Sequence, residues 1–175
     1  MGEPELTFRL LDGGQAAGLA TELLALRGEV YGEEPRAADR FRVQCRQPGF
    51  VLALASHGSY PIGYAAGMPL RQSTSWWRQL TSPLPEAVTA EHPGRTFALT
   101  DLLVRAAWRR QGVGQTLHDL VLKGRTEERA TLVVAPSATA AQAAFQSWGW
   151  RKIARALDPD HGPAVFDVLL RSGFS

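Results

Sequence analysis

Apolar and polar positions change rhythm several times along the chain, and each rhythm predicts an element. Leu6, Phe8 and Leu10 alternate with Thr7 and Arg9, the period of a half-buried strand, and Asp12-Gly13-Gly14 ends it as a turn. Leu19, Leu23, Leu26 and Val30 then recur at helical spacing, which predicts a helix from Gln15 to Val30. A second, shorter helix is expected from Pro35, a natural first helical residue, ending before Pro48-Gly49. Phe50–Ala55 and Ile62–Met68 read as strands joined by a turn at His57-Gly58-Ser59. The stretch from Pro69 to Arg95, with Trp76-Trp77, Pro83, Pro85 and Pro93, is irregular; a loop of that length is functional or partly helical.

The second half is more regular. Thr96–Val104 is a predicted strand, and a helix is expected from Gly112 to Arg125, with Val113, Leu117, Leu120 and Val121 on one face. Ala130–Ala135 is an apolar strand, and Thr139–Trp148 an Ala-rich helix stopped by Gly149. Trp150–Leu157 and Ala164–Leu170 are the last two strands, split by a turn over residues 158–162. The order β-α-α-β-β-β-α-β-α-β-β predicts an α/β fold with a mixed, mostly antiparallel sheet of about seven strands, about four helices on its faces and a parallel pair in the middle. A single domain over residues 1–175, with an insertion at about 69–95, is expected from the length.

Composition narrows the function without naming it. No apolar run approaches the roughly 18 residues of a membrane helix, and the acidic start MGEPELTF lacks the layout of a secretory signal, so a cytoplasmic protein is expected. Cys45 is the only cysteine, which excludes an internal disulfide and a Cys-based metal cluster. The net charge is +2, with 17 of the 19 basic residues Arg, spread along the chain instead of forming one basic face; no nucleic-acid partner is expected. His57, His92, His118 and His161 show no metal-ligand spacing, so no metal is expected, and the default for His118 is an exposed helix face.

The strongest chemical signal is Arg109-Arg110-Gln111-Gly112-Val113-Gly114, between a predicted strand and a predicted helix. Two glycines at alternate positions let backbone N–H groups converge at a helix start, where the dipole adds positive charge. With two arginines beside it, this is a phosphate site. The Lys-Ser/Thr of a nucleotide-triphosphate loop is absent, since Gln115-Thr116 follows, and Leu117 stands where a dinucleotide fingerprint needs a small residue.

On these residues the chain resembles the GNAT superfamily of N-acetyltransferases. Arg109, Gly112 and Gly114 match that family's Arg/Gln-x-x-Gly-x-Gly/Ala motif, Val104 fills the apolar place five residues earlier, and Phe145-Gln-Ser-Trp-Gly149-Trp150 resembles its Tyr-x-x-x-Gly-Phe. The Trp-Trp segment and GRTFALTDLLV are similar to actinobacterial members, a similarity that fixes no substrate. The resemblance implies a GNAT-like fold and acetyl-coenzyme A as cosubstrate. The pyrophosphate would rest on the amides of Gln111, Gly112, Val113 and Gly114, with Arg109, Arg110 and Gln115 around it. The pantetheine arm would run between two splayed strands and pair with backbone at Leu102 and Val104, and a backbone N–H near Leu103 or Val104 would face the oxyanion.

The implied reaction is direct attack of a primary amine of a small molecule on the thioester. Asp101 is the candidate base; the other reading is that it only orients the amine or bonds nearby backbone. The resemblance places an acceptor pocket near Glu29, Tyr31, Glu33 and Glu34, where solvated surface charge is the plainer reading of the carboxylates. Trp76 and Trp77 could roof the acceptor or pin the insertion as a satellite core. Phe145 stands where the family has its Tyr acid and has no proton to give. The thiolate would then leave unassisted or be protonated by water, or be served by Ser137 or Thr139, whose plainer role is helix capping. Two alternatives remain: a catalytically weak acyl-coenzyme A binding protein, sensor or structural, and an N-acetyltransferase acting on a protein or peptide. A homodimer is compatible with the family resemblance.

Overall fold

The computed structural model describes residues 2–157 and 164–173. Seven strands form one mixed sheet in the order β1-β2-β3-β4-β5-β7-β6. They are β1 (Leu6–Asp12), β2 (Val51–His57), β3 (Tyr60–Pro69), β4 (Thr96–Val104), β5 (Arg129–Val134), β6 (Arg151–Leu157) and β7 (Val165–Ser172). The helices are α1 (Gly13–Gly18), α2 (Ala20–Tyr31), α3 (Ala37–Cys45), α4 (Glu86–Thr89), α5 (Val113–Leu122) and α6 (Thr139–Ser147). The chain divides into two compact units, Met1–Met68 with Leu99–Gly124, and Pro69–Ala98 with Arg125–Ser175.

In the first unit, β1, β2 and β3 form an antiparallel meander. Asp12-Gly13-Gly14 is a helix start, where a turn was expected: Asp12 accepts from the Gln15 N–H at 2.8 Å and Gln15 returns the contact to the Asp12 N–H at 2.9 Å, a reciprocal N-terminal cap. Gly13 is required there, because a Cβ would run into the carbonyl of Cys45 at the end of α3. The single helix expected from Gln15 to Val30 is two helices, broken where Gly18 ends α1 and Leu19 takes a non-helical φ of −109°. The second helix starts at Ala37, after Pro35, with Arg36 as its cap. Leu23, Leu26, Phe41, Leu52, Leu54 and Leu103 belong to this unit's core.

The expected burial on β1 holds only in part: Thr7 and Arg9 are exposed and Phe8 is half-buried. Leu6 and Leu10 are exposed and Leu11 is buried, as an edge strand permits on its uncovered face. His57 belongs to β2, not to the turn, and its ring lies 4.9 Å from Trp108. His118 corrects the exposed-face expectation: it is fully buried on α5, with Nδ1 2.8 Å from Asp119.

In the second unit, β4 and β5 are parallel over Thr96–Ala98 and Arg129–Thr131, and β5-β7-β6 continue antiparallel. The irregular segment is partly helical: a short 3-10 turn at Trp76–Gln79, then α4. Its Leu80 bridges to Ala156, and the Thr81 N–H donates to the Arg155 carbonyl at 2.9 Å, so it covers part of the edge strand β6. Trp77 joins Ala156, Val168 and Leu170 in a small apolar cluster, and Trp76 packs against it. α6 ends at Gly149, whose φ is +91°, and the Trp150 N–H returns to the Phe145 carbonyl at 3.0 Å. No side chain caps its start, so the capping role expected of Ser137 and Thr139 is not what they do. The turn over residues 158–162, His161 included, lies outside the described residues.

Candidate active site

The loop entering α5 has the backbone that the glycine spacing predicts. Arg110 has φ +60° and Gly112 φ +81°, so left-handed residues alternate with right-handed or extended ones and turn successive N–H groups toward one point. Gly112 is the N-cap of α5; no side chain caps the helix and no acidic residue lies in its first turn. The orphan N–H groups and the positive helix end are therefore left for an anion. Thr116 Oγ1 and N both reach the Gly112 carbonyl at 3.0 Å, Gln111 Nε2 reaches Ala107 at 3.1 Å and Arg109 Nε reaches the Val104 carbonyl at 3.1 Å, which fixes the loop. Arg109, Arg110, Gln111, Gly112 and Gln115 are exposed, while Val113 is buried and anchors the helix.

On β4, Leu103 points into the core, and a Cβ at Gly63 would stand 2.7 Å from its carbonyl, so β3 needs glycine at that approach. The carbonyls of Leu102 and Val104 each already accept a side-chain donor: Tyr31 Oη at 2.9 Å and Arg109 Nε at 3.1 Å.

Asp101 is the centre of a polar cluster within the first unit. Its Oδ1 is in direct contact with Arg27 Nη1, and Arg27 Nη2 lies 3.8 Å from Glu34, itself in contact with Arg40. The Asp101 side chain is 9% exposed. Burial pushes its carboxyl above the ordinary carboxylate range, against the pull of Arg27. Burial opposes the charge on Arg27 too, but Asp101 and the neighbouring Tyr64 outweigh it and hold the guanidinium above its ordinary value. Arg27 also lies 5.4 Å over the ring of Tyr31. The hydroxyl of Tyr64 is fully buried beside Arg27 and Asp101, yet it completes no hydrogen bond of good geometry; burial, then Asp101, raise it. Burial of its hydroxyl end, with Asp101 adding, pushes Tyr31 up to about 12, although about half of its side chain faces solvent.

The structure thus brings Asp101, Tyr31 and Glu34 together and adds Arg27 and Tyr64, which sequence reasoning passed over. The signal for Arg27 was its spacing: Leu23, Arg27 and Tyr31 are four apart on α2, so the arginine shares a stripe with a core leucine. Glu29 is held elsewhere, in contact with Arg105, whose guanidinium stacks 4.3 Å over Tyr60. Trp77, with Trp76 packed against it, belongs to the satellite apolar cluster of its own unit. Phe145 is buried, its ring edge-on to Trp148 and Trp150 at 5.7 and 5.9 Å. Cys45 is buried, which pushes its thiol up and away from nucleophilic reactivity. Among the described residues, no group of three His, Cys, Asp or Glu could hold a metal, and no helix is long and apolar enough to cross a membrane.

A family model, that of the acetyltransferase (GNAT) family, matches residues 16–150. The chain belongs to this family of acetyl-coenzyme A-dependent acetyltransferases, with acetyl-coenzyme A as cosubstrate. The fold agrees. Arabidopsis thaliana NAA60 in complex with a bisubstrate analogue superposes with a TM-score of 0.72 at 13% identity, over 97% of this chain and 99% of that one. The same Arabidopsis thaliana protein in complex with acetyl-coenzyme A gives 0.68 at 15%, over 95% and 96%. The ribosomal-protein-S18-alanine N-acetyltransferase of Escherichia coli gives 0.67 at 13%, over 96% and 94%. No curated protein sequence matches the chain.

Proposed function

We propose that the chain acts as one domain, with residues 69–95 as an insertion, and acetylates a primary amine of a small molecule. The observation that carries the donor half is the start of α5: an uncapped, acid-free helix end behind a loop with φ +60° and +81°. The amides of Gln111, Gly112, Val113 and Gly114 would hold the pyrophosphate, with Arg109 and Arg110 as further donors. Bound acetyl-coenzyme A supplies an activated acetyl group as a thioester.

On the acceptor side, Asp101 receives the ammonium on the oxygen that Arg27 leaves free and takes its proton, which exposes the nitrogen lone pair for attack. Burial raises Asp101 toward the basicity this needs. A backbone N–H near Leu103 or Val104 faces the oxyanion. Phe145 offers no proton, so the thiol, of ordinary pKa about 8.5, leaves as thiolate or is protonated by water. A carboxylate only 9% exposed favours a compact amine over a polypeptide.

A second reading, acyl-coenzyme A binding with weak turnover, is favoured by the apolar packing of Phe145. A third, acetylation of a protein or peptide, is favoured by the S18-alanine N-acetyltransferase among the structural neighbours.

The test is calorimetric titration with acetyl-coenzyme A, followed by a screen of small amines and peptides. Micromolar binding is expected, with acetylation of a small amine. Gly112→Glu puts bulk and negative charge into the cradle and should weaken binding at least about 100-fold, or about 2.7 kcal/mol. Binding that survives in a folded variant removes the α5 loop from the cofactor site. Tight binding without turnover on any amine selects the second reading, and turnover on peptides alone selects the third.

A further inference from the structure

A cleft of about 620 Å³ lies entirely in the second unit, and its lining includes none of the residues assigned to the cosubstrate or the acceptor. Four cations line it (Arg95, Arg129, Arg151 and Lys152) against a single carboxylate, Glu128. Leu84 and Val88 from the insertion, with Ile153 and Leu170 from the sheet, give it an apolar wall. Arg151, Lys152 and Ile153 are consecutive, and consecutive strand residues ordinarily face opposite ways. Here the register of β6 against β7 shifts between Lys152 and Ala154, and that bulge accompanies all three on one cleft.

The cations are short of negative charge. Arg129 is buried; its Nε reaches Thr96 at 2.8 Å, and its Nη2 reaches the Val88 carbonyl at 2.5 Å and Glu91 at 3.3 Å, while its Nη1 has no partner among the described residues. Burial, then the like charge of Arg95, push it below its ordinary value despite Glu91. Arg95 spends two nitrogens on the carbonyls of Ala87 and Ala90 and stands 3.9 Å from Glu128. Arg151 has no ion-pair partner among the described residues. Lys152 is shared with Asp167 at 3.1 Å.

We propose that this cleft is a second binding site, for a small amphipathic organic anion: a carboxylate or phosphate head against Arg95, Arg129 and Arg151, and an apolar body along Leu84, Val88, Ile153 and Leu170. The charge balance selects an anion, and the apolar wall selects one with a carbon chain. The insertion builds one side of the site. Trp77 is not part of the lining but neighbours it, its ring 5.4 Å from the Arg129 guanidinium and its buried Nε1–H without a hydrogen-bond partner, so it reports on occupancy.

The test uses the whole chain with saturating coenzyme A, which keeps the probe off the α5 loop. Hexanoate, hexylammonium and inorganic phosphate are titrated while the Trp77 indole N–H resonance, assigned by its loss in Trp77→Phe, is followed by NMR. Hexanoate should shift that resonance saturably, phosphate more weakly, and hexylammonium not at all. Raising NaCl roughly tenfold should weaken hexanoate binding, as screened charges require. Arg151→Glu with Lys152→Glu, both on the surface, should weaken it at least about tenfold. Equal shifts by hexanoate and hexylammonium, no shift by hexanoate, or salt-independent binding would each overturn the proposal, even if the double variant fails to fold. Phosphate binding as tightly as hexanoate would overturn the apolar half of it.

Discussion

Each unit contains an arginine in contact with a carboxylate and set 5.4 Å from an aromatic ring: Arg27 with Asp101 and Tyr31 in the first, Arg129 with Glu91 and Trp77 in the second. The pairs look alike, but their surroundings have opposite sign. Around Arg27 Asp101 and then Tyr64 overcome the cost of burial, and the guanidinium is held above its ordinary value. Around Arg129 burial and Arg95 overcome Glu91, and the guanidinium is pushed below it. A buried ion pair by itself says little about function; the charge left over around it says which ligand is welcome. The first surroundings suit an ammonium, the second an anion.

The largest effect should come from breaking either pair. Arg27→Met strands Asp101 and should cost about 3–5 kcal/mol, and Arg129→Met should do the same to Glu91, both measured by urea denaturation. Replacing both partners, Arg27→Met with Asp101→Leu, should recover most of that stability but no activity. A double variant that stayed fully active would end the asymmetry drawn between the two pairs.

Next in size is turnover. Asp101→Asn should slow acetylation about 100-fold with unchanged acetyl-coenzyme A affinity, the scale of a lost proton acceptor. Glu91→Gln should leave the rate within about twofold, a change worth about 0.4 kcal/mol. Equal losses from both would mean that Asp101 acts only through folding.

Alkali should act on the first unit, since all three tyrosines of the chain lie there. The sign follows from Tyr31. Unfolded, it ionises near its ordinary value of 10; folded, it holds its proton up to about 12. Between those values the unfolded chain binds fewer protons, so stability falls as pH rises through that window. Tyr64, raised in the same direction, steepens the fall. Tyr64→Phe should flatten the slope, and at neutral pH should change stability by no more than about 1 kcal/mol, because the lost hydroxyl had no completed hydrogen bond. Denaturation curves collected across that window that overlay those of the parent would contradict the placement of Tyr64.

The smallest effect is expected at Phe145→Tyr. Turnover should be preserved or raised, at a cost of about 1 kcal/mol or less from fitting a hydroxyl among Trp148 and Trp150. A loss of turnover in a folded variant would mean that the position needs its apolar surface.

The features legible in the sequence were those set by local chemistry. The bounds of β4 follow from its apolar run between Arg95 and Arg105, and the cradle from the spacing of Gly112 and Gly114. What escaped was set by distant neighbours. Leu19 satisfies helical spacing yet sits at the break between α1 and α2, and α1 is set against α3 by the close approach of Gly13 to the Cys45 carbonyl. The polar appearance of His118 gave no warning of its burial, which the packing of α5 imposes. Asp101 was legible as a site residue, whereas its partner Arg27 lies 74 positions away and is joined to it only by the fold. The cationic cleft was hidden for the same reason, compounded by a bulge in β6 that alternation cannot foresee.

The solitary thiol has a practical consequence. Cys45 is the chain's single cysteine, tucked under Gly13 with its pKa raised by burial. Thiol-directed dyes and spin labels should pass over it while the fold is intact. Any cysteine placed on the surface then becomes a unique attachment point, with no background substitution needed, and distances between chosen sites can be recorded on an otherwise native chain.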